Sequence, residues 1–190
     1  VAEEEPLRVD VVEIDPAVTR LAARYFEYGR RERPGIRVVH EAGRVFLRSP
    51  DGADSYDLVY LDVFDHLLTV PWTMVTEEAL SDMARRLAPD GLFMANVLSP
   101  LEGEGRAFLE RFRATLEAVF GDVRLYLADP TLDPGATQNL VVVATLRHGR
   151  LPDLDRPRAQ VPAVGPPLDD AWAPVEYLQA KVFLEGLRWR

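Results

Sequence analysis

The chain has 190 residues, a length that suits one domain with an appended arm, and 47% of them are hydrophobic, enough for a core. Its apolar runs are strand-sized, so no membrane-spanning helix is expected. The formal charge of −9, with no arginine cluster free of nearby acids, disfavours nucleic acid or an anionic membrane as partner.

An acidic chain is compatible with a cationic substrate. Cysteine is absent, which removes disulfides and thiolate chemistry. The opening "VAEEEPLR" is acidic and lacks the basic and apolar regions of a signal peptide, so a soluble cytoplasmic protein is expected.

In chain order, "LRVDVVEID" alternates and then runs apolar, which predicts a buried strand over residues 7–14. Asp15 suits the cap of the next helix and Pro16 its first position. Val18, Leu21, Ala22 and Tyr25 mark one face of that helix. "GIRVVH" and "SYDLVYLD" read as the second and third strands. Thr76, Glu77 and Glu78 open a helix running to about Leu87, closed by Pro89, Asp90 and Gly91. "LFMANVL" is a fourth strand.

Leu109, Phe112, Leu116, Val119 and Phe120 sit at helical spacing, predicting an amphipathic helix over 104–120. "DVRLYLA" and "NLVVVATL" close the pattern as an antiparallel pair around the loop 128–138. Strands alternating with helices predict an α/β layered fold with a mainly parallel sheet, here spanning residues 1–148. Six prolines between Pro152 and Pro174 mark an extended arm over 149–173. The remainder, 174–190, holds a last helix expected over 174–187 that packs on the domain through Val175, Leu178, Val182 and Phe183.

Glu13 and Asp15 stand where a strand meets a helix. Ligands of open α/β sheets bind at the carboxyl ends of strands, and an acid there can accept both hydroxyls of a ribose. Asp15 is better placed as the helix cap, which leaves Glu13 for the ribose or simply as a strand end. The glycine-rich turn that such a site needs is absent, since the first glycine, Gly29, comes after Glu13.

"YDLVYLDVFDH" ends an apolar run with Asp62 and Asp65. A strand-end carboxylate can take the proton of an attacking amine, and two carboxylates together suit a cationic amine. Aspartate is also a common turn former, and the spacing leaves both readings open. His40, His66 and His148 are scattered and no metal-ligand spacing occurs, so no metal is expected. Neither a nucleophile elbow nor a Walker loop is present. Lys181, the one lysine, lies among apolar residues and is not expected to form a Schiff base. Trp72, Tyr126, Trp172 and Tyr177 could wall a pocket but read first as core.

Taken in order, "VVEIDPAVTRLAARYF", "AGRVFL", "YDLVYLDVFDH" and "TEEALSDMARRLAPDGLFMANV" resemble the polyamine aminopropyltransferase (spermidine synthase) family. The likeness is greatest to its bacterial spermidine synthase-like branch, through Val70, Pro71, Thr76 and the tail "LDDAWAPVEYL", where Leu168 replaces a threonine. It covers roughly residues 8–146 and 168–178. The resemblance implies the Rossmann-like fold of S-adenosylmethionine-dependent methyltransferases. It also implies transfer of an aminopropyl group from decarboxylated S-adenosylmethionine to a diamine such as putrescine. On that pattern Glu13 binds the cofactor ribose and Gly43 meets the adenine. Asp62 helps deprotonate the attacking amine, and Asp65 lies in the diamine subsite.

The sequence also departs from the family. Ala42 stands where an aspartate would accept from the adenine amino group, and Val63, Phe64 and His66 replace two serines and a proline. The family's N-terminal β-domain, first sheet strand and glycine loop have no counterpart. In this fold the first strand lies between those of Val9–Ile14 and Leu58–Asp62, so its loss would leave two neighbours short of backbone partners. The expectation is a chain derived from a longer protein, or one whose partners rearrange or pair between molecules as a homodimer. Two other functions compete: methyl transfer from S-adenosylmethionine itself, and a non-catalytic relic that binds a nucleoside or serves in assembly.

Overall fold

A computed structural model describes residues 7–26, 35–49, 55–65, 69–151 and 153–186, with side chains through residue 180. It divides into two units, Val1–Gly52 and Ala53–Arg190.

In the first unit, β1 (Val9–Val12) pairs in parallel with β2 (Ile36–Val39), with Val9 opposite Ile36 and Val12 opposite Val39. The crossover carries α1 (Pro16–Tyr25). As expected, the Asp15 carboxylate accepts a hydrogen bond from Ala17 N at 2.8 Å and Pro16 fills the first helical position. Gly35 (φ +97°) leads into β2, where a Cβ would stand 2.3 Å from Leu7 O. Asp10 and Arg37, opposite each other in register, pair through Arg37 Nε at 2.8 Å. A short helix, α2 (Gly43–Arg48), follows β2; the sequence reading placed no element there.

The expectation of a buried first strand fails. Leu7 is 80% exposed and Ile14 70%, no residue of α1 is buried, and its stripe of Val18, Leu21 and Tyr25 is exposed. Parallel strands become buried only when layers cover both faces, and a two-stranded sheet with one crossover is too small to provide them.

The second unit holds β3 (Tyr56–Leu61), β4 (Leu87–Ser99), β5 (Asp122–Leu127) and β6 (Gln138–Thr145) in the order β3-β4-β6-β5. β3 runs parallel to β4, while β6 is antiparallel to both β4 and β5. The closing antiparallel pair is therefore present. β1 and β3, expected to flank an absent first strand, lie in separate sheets.

Thr76 caps α3 (Glu77–Ala84), accepting from Ala79 N at 3.2 Å, and Glu77 and Glu78 complement the helix dipole in its first turn. The helix ends at Ala84 rather than near Leu87. Sheet pairing wins: Tyr56 N donates to Arg86 O at 2.7 Å and Leu87 is already paired with Tyr56. Pro89, Asp90 and Gly91, read as helix-closing residues, instead form an irregularity inside β4. There the register moves from Tyr56↔Leu87 to Leu58↔Leu92. A Cβ on Gly91 would lie 2.7 Å from Tyr56 O, so only glycine fits that close approach.

One face of this sheet carries Leu61, Phe93, Ala95, Val97, Leu140 and Val142, all buried. Leu80 and Met83 of α3 and Leu109, Phe112 and Leu116 of α4 (Ala107–Val119) complete the core. Phe93 stacks on Phe120 with ring centroids 5.0 Å apart. On the other face Tyr126, Val143 and Leu151 gather with Leu92, Met94 and Val141, while Leu58 and Tyr60 remain exposed.

The proline-rich segment pairs with the outer side of β5 through Leu127 N to Pro157 O (3.0 Å) and Ala159 N to Leu125 O (2.9 Å). It then crosses α4, where Leu168 N donates to Thr115 Oγ1 at 2.9 Å, and reaches α3, where Leu168 O accepts from Glu77 N at 2.7 Å. Leu168, which stands in place of a threonine, is a fully buried core residue. α5 (Val175–Gly186) follows, with Val175 buried and Leu178 half-buried. The side chains of Val182 and Phe183 lie outside those described.

Candidate functional site

β3 delivers two carboxylates at its carboxyl end. Extending the β3–β4 register beyond Leu61↔Ala95 sets Asp62 opposite Asn96, on the same sheet face as Tyr60 and away from the main core. The contact follows: Asn96 Nδ2 donates to Asp62 Oδ1 at 3.1 Å. Partial desolvation and then the nearby negative charge and acceptor oxygens of Asp62 raise the Tyr60 phenol above its ordinary pKa. Asp62 itself is exposed. A carboxylate that accepts from an amide and lies near a phenol, yet is open to solvent, keeps lone pairs for an ammonium or for a proton.

These contacts set the sign of a pH effect. A phenol whose folded-state pKa is raised contributes stability that is complete below its unfolded value near 10 and is lost as pH rises through the folded value. Asp62→Asn removes the charge but not the partial desolvation. The Tyr60 titration, isolated by difference against Tyr60→Phe in an ultraviolet phenolate titration, should therefore move part of the way down. A Tyr60 midpoint unchanged by Asp62→Asn would show that the two side chains do not interact.

Asp65 lies three residues on, also exposed. Its backbone is fixed by Thr69: Asp65 N donates to Thr69 O at 2.6 Å, and Thr69 Oγ1 donates back to Asp65 O. Asp62 and Asp65 thus both lie exposed in the stretch leaving β3.

Glu13 and Gly43 belong to the first unit. Glu13 follows β1, where its N–H extends the ladder to Val39 O at 3.0 Å and its Oε1 accepts from Asp15 N at 2.8 Å. Gly43 is the first residue of α2, and Ala42 before it makes no side-chain cap. Each of the four residues therefore lies just beyond the carboxyl end of a strand, where α/β sheets place ligands.

Sequence reasoning missed Tyr60 and Asn96. Tyr60 read as one more member of an apolar run. Asn96 had a visible signal, as the lone amide inside "LFMANVL", because a polar side chain in such a strand must find a partner. Of the four aromatic residues weighed as wall or core, only Tyr126 is buried, while Trp72, Trp172 and Tyr177 are exposed. His40 Nε2 meets Thr19 Oγ1 at 3.0 Å, and His66 and the Lys181 side chain lie outside those described. Among the described residues no three His, Asp or Glu side chains gather as a metal site would require, and no helix is long and apolar enough to cross a membrane.

Comparison with known proteins adds what geometry alone lacks. No family model matches the chain. A probable polyamine aminopropyl transferase of Bifidobacterium longum is 29% identical over 123 residues, which cover 65% of this chain and 26% of that protein. The polyamine aminopropyltransferase of Vibrio vulnificus is 30% identical over 115 residues, covering 60% of this chain and 36% of that one. The chain thus spans about a third or less of the curated relatives it matches.

Among solved structures, a probable spermidine synthase from Corynebacterium glutamicum aligns with a TM-score of 0.59 and 23% identity over 73% of this chain and 47% of that one. Human methyltransferase-like protein 13, in complex with SAH, aligns with a TM-score of 0.60 and 18% identity over 96% of this chain and 72% of that one. The fold is therefore that of the S-adenosylmethionine-dependent methyltransferases and spermidine synthases. Within that class the curated relatives that the chain matches include polyamine aminopropyltransferases.

Proposed function

We propose that the chain is the catalytic part of a spermidine synthase-like aminopropyltransferase, with decarboxylated S-adenosylmethionine as donor and a small diamine such as putrescine as acceptor. The observation that carries this reading is the solvent-open Asp62 carboxylate at the end of β3, which accepts from Asn96 and has Asp65 near it in the chain.

The chemistry asks for little more. A sulfonium makes the adjoining propyl carbon electrophilic. The amine nitrogen forms the new C–N bond as the C–S bond breaks, the electron pair goes to sulfur, and 5′-methylthioadenosine leaves. The nitrogen must shed one proton, and on this reading Asp62 takes it. Asp65 holds the distal ammonium, so that the reacting amine is aligned rather than free. Glu13 fits a ribose, because Oε2 remains to accept while Oε1 holds Asp15 N. Gly43 would lie against the adenine, where Ala42 offers no side-chain acceptor and Glu41 is the neighbouring acid.

A second reading, methyl transfer from S-adenosylmethionine, has in its favour a fold shared with a methyltransferase along nearly the whole chain. Paired carboxylates favour the first, since a methyl acceptor need not be a dication. A non-catalytic role is favoured by Ala42, which offers the adenine no side-chain acceptor. The test is to supply the full-length gene product with putrescine and either donor. Aminopropylated amine and methylthioadenosine are expected from the decarboxylated donor. A methylated product from S-adenosylmethionine alone would favour the second reading.

A further inference from the structure

Gln179 is a polar residue in the buried stripe of α5. It is 3% exposed, in a helix where Val175 is buried as well. Its partner lies 109 positions earlier: Val70 N donates to Gln179 Oε1 at 3.2 Å, in a buried hydrogen bond. A methionine or leucine would pack α5 equally well without desolvating an amide. What glutamine adds is an acceptor for an N–H that burial has removed from water.

The position of Val70 gives that bond its meaning. Thr69, its neighbour, grips Asp65 at both the N–H and the carbonyl. On the other side a 3₁₀ turn over Trp72–Met74 leads to Thr76, whose hydroxyl donates to Asp170 Oδ1 at 2.6 Å. Residues 70–76 are therefore pinned at both ends by the C-terminal segment. The Thr76 end fixes the start of α3, and the Val70 end adjoins Thr69, which holds the Asp65 backbone.

We infer that Gln179 is a positioning residue for the diamine end of the site, setting through Val70 and Thr69 where the Asp65 carboxylate stands. This rests on Asp65 as the ammonium holder. The test compares Gln179→Met, of similar size but with no oxygen, with Gln179→Glu, which keeps an acceptor for Val70 N–H, both in the full-length gene product.

Two readouts are needed: amine and donor saturation curves, and amide hydrogen exchange at Asp65 and Val70. Gln179→Met should raise the KM for putrescine about ten- to a hundredfold. The donor KM should stay unchanged, exchange protection at Val70 and Asp65 should be lost, and β6 should stay protected. Gln179→Glu should restore both readouts. An unchanged putrescine KM in Gln179→Met, or an equal rise for amine and donor, overturns the inference. So does retained protection at Val70 and Asp65. A wild-type protein that transfers to no amine overturns the proposed function and the diamine role together; the exchange data then show whether the tether itself exists.

Discussion

Asp62→Asn is expected to lower amine transfer by roughly 10²–10⁴-fold, the range over which a positioned general base acts. The substitution is close to isosteric. Asn96 Nδ2 can still donate to the new side-chain oxygen, so β3 and β4 should hold their register. What is lost is the basic site proposed to take the proton from the nitrogen. Binding of methylthioadenosine should survive, because the residues assigned to the nucleoside, Glu13 and Gly43, are untouched. Steady-state kinetics with saturating diamine, paired with calorimetry of methylthioadenosine, separates the two effects. Full turnover in Asp62→Asn would remove Asp62 as the base.

The largest stability effect is expected at Phe93. It is fully buried in β4, stacked on Phe120, and lies on the face that meets α3 and α4. Phe93→Ala should cost about 3–5 kcal/mol, from lost transfer energy and a cavity that a close-packed core closes only in part. Chemical denaturation followed by far-ultraviolet circular dichroism would show the transition of the second unit moving to lower denaturant. A cost below about 1 kcal/mol would mean that the sheet and helices repack freely there. By contrast, Leu21→Ala should change stability little, since Leu21 is exposed.

The contrast between Phe93 and Leu21 shows what the residues could and could not disclose. Alternation in β4 and helical spacing in α4 were legible because in both cases the apolar face has a layer to meet. The same kind of stripe on α1 predicted the helix and its cap, but burial depends on a covering layer, and periodicity carries no information about one. The break in β4 at Pro89–Gly91 was misread as a helix end, since the same residues that stop helices also disturb strands.

At the site, Asp62 and Asp65 were visible as acids leaving an apolar strand, although spacing alone left turn and reaction centre equally open. The contact of Asp62 with Asn96 was not legible, because only the β3–β4 pairing places the two side by side. The link from Gln179 to Val70 spans most of the chain, and no local pattern could show it. Leu168 is the converse case: a departure from the family pattern that proves to be a well-packed core residue.

The decisive experiment is product analysis by mass spectrometry of the full-length gene product, incubated with putrescine and equal amounts of decarboxylated and intact S-adenosylmethionine. The proposed function predicts spermidine and methylthioadenosine in equal amounts, with the intact donor unconsumed. Methylated putrescine, or no product beside a correctly folded protein, would contradict it.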